Sequence, residues 1–192
     1  MRVLKSDEYT RMLWRNGHGE TAQVAIGPAT ATLEGFDWRV SMARIDGDGP
    51  FSIFPQTDRT LAVLRGDGLR ISVDGATSTE VAPSSEPLSF PGDVPAAATL
   101  IGGTVTDLNV MTRRDRFRHS MRALRVARRV EIKIDCTLAL LVCADEAVHV
   151  QASDETFRLS SLDSLFVNET HAALMISSDT SALVYLIEIH GA

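Results

Sequence analysis

The fold is decided by the stretch at residues 87 to 112, PLSFPGDVPAAATLIGGTVTDLNVMT, and by a weak second copy at residues 158 to 189, RLSSLDSLFVNETHAALMISSDTSALVYLIEI. Each copy begins with a strand-like segment and a turn that ends in an acid. A short apolar strand, a second turn and a longer apolar strand follow. The alignment sets Asp93 against Asp163. This repeat predicts a duplicated β-sandwich or β-barrel unit.

Strand signals dominate the rest of the chain as well. Short alternating or β-branched segments, such as FDWRVSMARI at 36 to 45 and TLALLVCA at 137 to 144, are separated by turn sequences rich in Gly, Pro and Asp. Only SDEYTRML at 6 to 13 and HSMRALRVA at 119 to 127 have a pattern expected of short helical turns. The sequence predicts an all-β protein.

A basic stretch, residues 113 to 129, lies between the two copies and carries eight arginines and a single acid. We interpret it as a solvated connection, because charge runs are usually surface and no aromatic stacking pattern accompanies this one. The alternative interpretation is that these arginines bind a protein or nucleic-acid partner. The predicted organisation is an N-terminal barrel at 1–112, a basic connection at 113–128 and a C-terminal barrel at 129–192.

Composition and net charge limit which classes of protein this chain can belong to. The 192 residues are 44% hydrophobic and 23% charged, which predicts a substantial core. The net charge of −6 disfavours general nucleic-acid binding, and no apolar run approaches the roughly 18 residues of a membrane span. A cytoplasmic monomer or homodimer with no membrane partner is expected. Cys136 and Cys143 are expected as buried thiols rather than as a disulfide.

The segment WRNGHGET, residues 14 to 21, sets a histidine between two glycines. It matches no phosphate-binding loop, because a strand-like segment and not a helix follows. We interpret it as a turn in which Gly17, His18 and Gly19 adopt unusual backbone angles. Its exposed amides, beside Trp14 and Asn16, would then line a small-molecule pocket.

The sequence gives little support for a metal site or for a nucleophilic enzyme. The five histidines include none between His18 and His119, so the first half lacks an imidazole cluster, and no metal site is expected. No serine or cysteine nucleophile signature occurs. A proton-transfer enzyme built from Asp58, Asp93, Asp107 or His18 is a minority alternative, since single carboxylates are usually turn or cap residues.

Several long segments resemble the HutD/Ves family: WRNGHGET, residues 36 to 71, LSFPGD at 88 to 93 and GGTVTDLNVMTRRDRF at 102 to 117. The resemblance implies an all-β bicupin, with two packed cupin-like barrels of the RmlC-like cupin fold and no metal or cofactor. It also implies a pocket for a small anionic metabolite. The family usually has three glycines after the asparagine, where this chain has Gly17, His18 and Gly19, and commonly a lysine at Arg15.

Candidate ligand-binding residues follow from alternation within these segments. On FDWRVSMA, one predicted face carries the core residues Phe36, Trp38, Val40 and Met42, and the other carries Asp37, Arg39, Ser41 and Ala43. On TDLNVMTR, the set Asp107, Asn109, Met111 and Arg113 opposes Leu108, Val110 and Thr112. A polar set on a central strand predicts a lined cavity.

Arg59 is the first choice for binding an anion, because it enters a strongly apolar strand where an unpaired cation is costly. Arg39 is the second choice. Internal salt bridges are the alternative, to Asp58 or Asp107 for Arg59 and to Asp37 or Asp107 for Arg39. The remaining candidates are apolar walls and polar contacts: Trp14, Phe54, Met111, Asn16, Gly17, Ser52 and Asn109.

The sequence is compatible with three functions. The first, implied by the resemblance, is an accessory or regulatory factor of histidine utilisation that senses a small carboxylate such as N-formylglutamate or urocanate. The second is a cofactor-independent isomerase or hydrolase acting on a similar acid. The third is an interaction module that uses the arginines at 113 to 129. No catalytic residue is assigned.

Overall fold

Every regular element in the described part of the chain, residues 1–14, 17–83 and 85–192 of a computed structural model, is a β-strand. The all-β prediction is confirmed. The strands form two compact units. The N-terminal unit comprises Thr10–Arg118 with Ala192, and the C-terminal unit comprises Met1–Tyr9 and His119–Gly191.

Two antiparallel sheets build the N-terminal unit. The larger has six strands in the order β2 (Thr10–Leu13), β3 (Gly19–Gly27), β4 (Trp38–Ile45), β11 (Val105–Arg113), β6 (Thr57–Arg65) and β9 (Leu88–Pro91). The smaller has four, in the order β5 (Gly49–Pro50), β10 (Ala96–Leu100), β7 (Leu69–Val73) and β8 (Thr79–Val81). The most heavily paired strands are β4 and β11, at the centre of the larger sheet.

The core of this unit contains apolar side chains from both sheets. The six-stranded sheet supplies Ala43, Ile45, Leu61, Val63, Phe90 and Val105. The four-stranded sheet supplies Leu69, Ile71, Ala96 and Ala98 from its two central strands, and Val81. Alternation places these inward positions two residues apart on each strand. The same inward face of β4, β6 and β11 therefore continues beyond the apolar core into the cavity described below.

The C-terminal unit repeats the two-sheet design. Its five-stranded sheet has the order β1 (Arg2–Leu4), β17 (Ser164–Val167), β14 (Leu138–Cys143), β19 (Ala182–Gly191) and β12 (Phe117–Val126). Its four-stranded sheet has the order β13 (Arg129–Ile134), β18 (Ala172–Ser177), β15 (Val148–Ala152) and β16 (Glu155–Leu159). Every residue of β14 is buried, which agrees with its continuous apolar sequence.

The first nine residues belong to the C-terminal unit. The predicted boundaries instead placed all of residues 1–112 in the N-terminal barrel. Strand β1 pairs with β17, with Val3 opposite Leu165. Lys5 Nζ donates to Asp163 Oδ2 over 2.8 Å. The Tyr9 hydroxyl donates to the Leu162 carbonyl over 2.9 Å. Pairing between segments so distant in sequence leaves no local signal, so the sequence could not place them together.

Both expected helical turns are wrong. In SDEYTRML the last four residues, Thr10–Leu13, form β2 and pair with β3. In HSMRALRVA the chain continues β12 through Val126. Exposed Arg118, Ser120 and Arg122 alternate there with half-buried His119 and Met121, which is a period of two. Tertiary pairing overrides the helical preference of single residues.

The stretch expected to be a connection thus contains an ordered strand. Cys136 and Cys143 are buried and unpaired, as predicted. Among the described residues no helix is long and apolar enough to span a bilayer.

Candidate functional site

A cavity of about 510 Å³ lies within the N-terminal unit. The six-stranded sheet forms its polar wall, with Thr21, Arg39, Ser41, Ala43, Arg59, Asp107, Asn109 and Met111. The rest of the lining is mainly apolar and comes from the end of β2, from the loop before β4 and from the segments around β5: Met12, Leu13, Trp14, Leu33, Pro50, Phe51, Ser52 and Phe54. The volume is within the range of small-molecule sites.

Strand alternation explains the polar wall. On β4, Arg39, Ser41 and Ala43 line the cavity, while Trp38, Val40 and Met42 are buried on the opposite face. On β11 the lining positions are Asp107, Asn109 and Met111. The register sets Met111 between Arg39 and Arg59 on the two neighbouring strands. The alternation predicted from the sequence is confirmed, and the binding role of these residues stays a prediction.

Arg59 is held firmly in this wall. Its side chain is buried, and its Nε donates to Asn109 Oδ1 over 2.7 Å. Its guanidinium carbon lies 4.1 Å from the ring centroid of Phe51 and 5.4 Å from that of Phe90. Such stacking of a guanidinium on aromatic rings is favourable, more so where water is excluded.

The charge of Arg59 is not neutralised by a protein carboxylate in direct contact. Among the described residues Arg59 forms no ion pair, and its terminal amino groups donate no hydrogen bond. Burial lowers its pKa to about 10, with Asp107 opposing the decrease and Arg39 adding to it. Arg59 therefore stays protonated at neutral pH. The predicted alternative, a salt bridge to Asp58 or Asp107, does not form in the described part of the chain.

Arg39 is a second buried cation in the same wall. Its Nε donates to Gln23 Oε1 over 3.3 Å, and burial lowers its pKa to about 10. The predicted alternative partner Asp37 instead accepts from Arg116 over 3.0 Å. Arg39 and Arg59 lie two strand spacings apart, roughly 9–10 Å between their backbones. The cavity thus presents two guanidinium groups flanking Met111.

Asp107 is the only acid that lines the cavity within the described residues. It is fully buried, and its Oδ1 accepts from the Ala43 amide over 2.9 Å and from Asn109 Nδ2 over 2.7 Å. Asn109 thereby links the carboxyl group of Asp107 to the guanidinium of Arg59. Burial raises the pKa of Asp107 to about 6, against the opposing effects of Arg59, Asn109 and the Ala43 amide.

The turn that begins at Trp14 differs in part from its prediction. Trp14 lines the cavity, and its Nε1 donates to Thr21 Oγ1 over 2.8 Å. Gly17 has a φ of 73°, as expected, but its amide donates to the Trp14 carbonyl, and Gly17 is not among the lining residues. His18 and Gly19 do not have positive φ, because β3 already begins at Gly19. Asn16 lies outside the described residues.

Gly19 lies where a larger side chain would not fit, although its backbone angle does not itself require glycine. This crowding gives a first prediction. A Cβ atom there would collide with the Arg44 carbonyl oxygen and meet the Trp14 ring at 3.0 Å. We expect Gly19→Ala to lower the free energy of unfolding by about 1–3 kcal/mol, as overpacking does. Urea denaturation measures this loss. Gly49→Ala, where an added Cβ meets nothing within 4 Å, is the control, and equal stability of both variants would contradict the steric argument.

The other candidates line the cavity through loops. Ser52 and Phe54 lie between β5 and β6, and the Phe54 ring packs 5.7 Å from that of Phe36. Phe51, whose ring stacks on Arg59, was not among the predicted lining residues. Leu33, from the loop before β4, was not among them either. An aromatic residue directly after the Gly-Pro pair of β5 was the available signal for Phe51.

The remaining acids and histidines show no comparable arrangement. Asp58 and Asp93 both accept from Arg114, each over 2.6 Å, in an exposed cluster. Within the described residues no group of three or more His, Cys, Asp or Glu side chains is placed to hold a metal ion. Four exposed arginines at and after β12, namely Arg118, Arg125, Arg128 and Arg129, form no ion pair among the described residues. Their use by a partner stays a prediction.

The HutD family model matches residues 6–185. The chain belongs to the HutD family. The resemblance drawn from the sequence is confirmed, and it extends over both units of this HutD protein.

Curated relatives match a shorter part of the chain. A Pseudomonas putida protein described as an uncharacterized 21.2 kDa protein in the hutC 3′ region is 36% identical over 118 residues, which is 62% of this chain and 61% of that protein. Protein Ves of Citrobacter koseri is 41% identical over 112 residues, 57% of this chain and 56% of that protein. The alignments thus span about three fifths of the length of these relatives.

Solved structures cover nearly the whole chain. A conserved protein of unknown function from Pseudomonas aeruginosa PAO1 has a TM-score of 0.92 at 29% identity, over 98% of both chains. HutD from Pseudomonas fluorescens SBW25 has a TM-score of 0.81 at 28% identity, over 100% of this chain and 98% of that one. A cupin 2 conserved barrel domain protein from Leptotrichia buccalis, at a TM-score of 0.59 and 7% identity over 94% and 96%, is similar in fold alone. The predicted cupin fold is confirmed.

Proposed function

We propose that this HutD protein binds a small organic carboxylate in the cavity of its N-terminal unit. The observation that carries the proposal is the state of Arg59: a buried guanidinium, fixed through Nε by Asn109, in the lining of a cavity of ligand size. Two terminal amino groups of a guanidinium bind one carboxylate with parallel hydrogen bonds. A buried charge without a direct counter-ion is costly, and an anionic ligand would supply that counter-ion.

The rest of the lining suits an organic acid rather than an inorganic ion. Arg39 supplies a second cation across Met111. Trp14, Phe51 and Phe54 offer apolar walls, and Ser52 offers a polar contact. This mixture of few charged groups and a mainly apolar surround is typical of small-molecule sites. Ligands with one charged end and an uncharged body fit it best.

The physiological role that we propose is accessory or regulatory, in histidine utilisation. Two observations support it: a relative with a similar structure is named HutD, and the Pseudomonas putida relative is described by its place in the hutC 3′ region. The ligand would then be an acid of histidine breakdown. N-formylglutamate and urocanate are the two candidates that we put forward.

Ligand-induced stabilisation tests this proposal. A ligand present at about 100 times its Kd stabilises the native state by about 2.7 kcal/mol, which corresponds to a rise in Tm of about 5–10 °C for a protein of this size. We expect N-formylglutamate or urocanate to produce such a rise in a thermal-shift titration. The diamide of N-formylglutamate, similar in size but without a carboxylate, is the matched control. An unchanged Tm with both acids would contradict the proposal.

A second candidate function is catalysis by Asp107. A buried carboxyl group whose pKa is raised to about 6, in the lining of a cavity with two cations, has the properties of a general acid or base near neutral pH. The reaction would be an isomerisation or hydrolysis of the bound acid without a cofactor. NMR spectra of each candidate ligand, recorded over hours with the protein present, distinguish the two functions, because only an enzyme consumes the ligand.

A further inference from the structure

The cavity wall contains a single acid with one unsatisfied oxygen. Asp107 Oδ2 is buried and has no hydrogen-bond partner among the described residues, whereas Oδ1 accepts two hydrogen bonds. An ionised carboxylate needs partners for both oxygens when water is excluded, and a buried oxygen without one is costly. A protonated carboxyl group carries no net charge and is far less costly to bury.

The charged groups that face Asp107 are few. Arg59, on the neighbouring β6, is linked to it through Asn109, and Arg39 lies four residues along β4 from Ala43, the residue opposite Asp107. The side chains of the opposing four-stranded sheet that face this interior are apolar, as is Ala43, which lies opposite Asp107 on β4. Among the described residues the ionisable groups of the lining are therefore the two arginines and Asp107.

We propose that Asp107 takes up a proton when a carboxylate ligand binds in the cavity, so that the protein binds its ligand more tightly as the pH falls from 8 to 6. This inference rests on the proposed function, and it describes how the same site is regulated. Asp107 acts here as a charge-sensing residue. It need not touch the ligand.

The physical cause is competition for the positive charge of Arg59. In the unoccupied cavity Arg59 favours the ionised form of Asp107, although burial opposes it. A ligand carboxylate on Arg59 cancels that stabilising field and displaces water, and both effects favour the protonated carboxyl group. The pKa of Asp107 is then higher in the complex than in the free protein. Affinity consequently rises as pH falls through the pKa of the complex, and levels off below that of the free protein.

The expected size is measurable. The free protein already has an Asp107 pKa of about 6. If binding raises this pKa by about 1.5, the complex takes up about two thirds of a proton per ligand at pH 7, and binding is about tenfold tighter at pH 6 than at pH 8. N-formylglutamate is the appropriate probe, because carboxyl groups of its kind have pKa values of about 3.5–4.5 and stay ionised throughout this range.

Isothermal titration calorimetry of the full chain with N-formylglutamate tests the inference. At pH 7, titrations in two buffers with different ionisation enthalpies give the number of protons taken up. The matched variant is Asp107→Asn, whose amide keeps an acceptor for the Ala43 amide and Asn109 but does not titrate. We expect proton uptake in the natural protein, none in the variant, and an affinity of the variant that does not change between pH 6 and pH 8.

The possible outcomes are distinct. Binding by the natural protein without proton uptake overturns this inference and leaves the proposed function standing. Proton uptake that persists in Asp107→Asn assigns the proton to another group, such as a histidine, and also overturns it. Absence of binding at millimolar N-formylglutamate overturns the inference, and with urocanate also inactive it overturns the proposed function. If Asp107→Asn does not fold, the buffer comparison combined with a ¹³C NMR titration of the aspartate carboxyl groups with and without ligand decides the assignment.

Discussion

Replacing Arg59 by Met is expected to abolish the stabilisation of this HutD protein by N-formylglutamate or urocanate. Methionine fills a similar apolar volume beside Phe51 and Phe90 but offers no donor to a carboxylate. Loss of one partner from a buried, hydrogen-bonded charge pair costs about 2–5 kcal/mol, which is a decrease in affinity of about 30-fold to several thousand-fold. Thermal-shift titration and calorimetry both measure this change.

The control for Arg59→Met is Arg70→Met in the same unit. Arg70 is exposed and pairs with Glu80 at the surface, so its loss should leave ligand affinity unchanged. Arg59→Lys is informative as well. It retains the charge but loses the planar pair of donors, and it should recover only part of the affinity. Full ligand-induced stabilisation of Arg59→Met would remove Arg59 from the binding site.

Replacing Asp163 by Ala is expected to lower the free energy of unfolding by about 3 kcal/mol, the largest effect on stability that we predict. Asp163 is buried and accepts from Lys5 Nζ at 2.8 Å and from the amides of Ser6 and Ser160 at 2.9 and 3.0 Å. The variant leaves these donors without their acceptor and removes the contacts that hold Lys5 and Ser6, directly after β1, against the start of β17. Buried donors that lose their partner cost about 1–3 kcal/mol each, and Lys5 adds less, because its side chain is 44% exposed and can be hydrated. Urea denaturation measures the difference.

The pH dependence of this effect has a definite sign. Burial opposes the ionised form of Asp163, but hydrogen bonds from Lys5, Ser6 and Ser160 outweigh it and lower the pKa. A carboxyl group with a lowered pKa in the folded state stabilises the protein fully above its ordinary pKa of about 3.9, and this stabilisation is lost as pH falls below it. The stability difference between the natural protein and Asp163→Ala should therefore be largest at neutral pH and shrink in acid.

Asp135→Ala is the matched control for Asp163→Ala, since Asp135 is exposed and its one ion pair among the described residues is with the exposed His171. Its replacement should change stability by less than about 0.5 kcal/mol. A loss at Asp163 no larger than that at Asp135 would contradict the anchoring role assigned to Asp163.

The central strands of the cavity were predictable because period-two alternation is a local property. Arg39 on β4 and Asn109 on β11 share the cavity wall, as the alternation of their strands indicated. The aligned acids of the repeat were informative too, since Asp93 and Asp163 each accept from a cation, Arg114 and Lys5 respectively. Both signals can be identified within short segments of the sequence, without knowing which distant segments these contact in the fold.

What the sequence did not predict depends on contacts between distant segments. Phe51 stacks on Arg59 because a loop after β5 folds over the sheet, and no local pattern encodes that approach. The strand character of HSMRALRVA comes from pairing with β19, which begins more than 50 residues later in the chain. The partner of Asp163 is 158 residues away in sequence. In each case a long-range contact outweighs local preference.

Incorporation of β1 into the sheet of the C-terminal unit has a consequence for synthesis. A ribosome makes residues 2–4 long before residues 164–167, which they pair with. During translation that N-terminal segment cannot form this pairing until residues 164–167 have been made. The sheet of the C-terminal unit is therefore completed only by closing a long-range loop, and such closure is expected to slow folding.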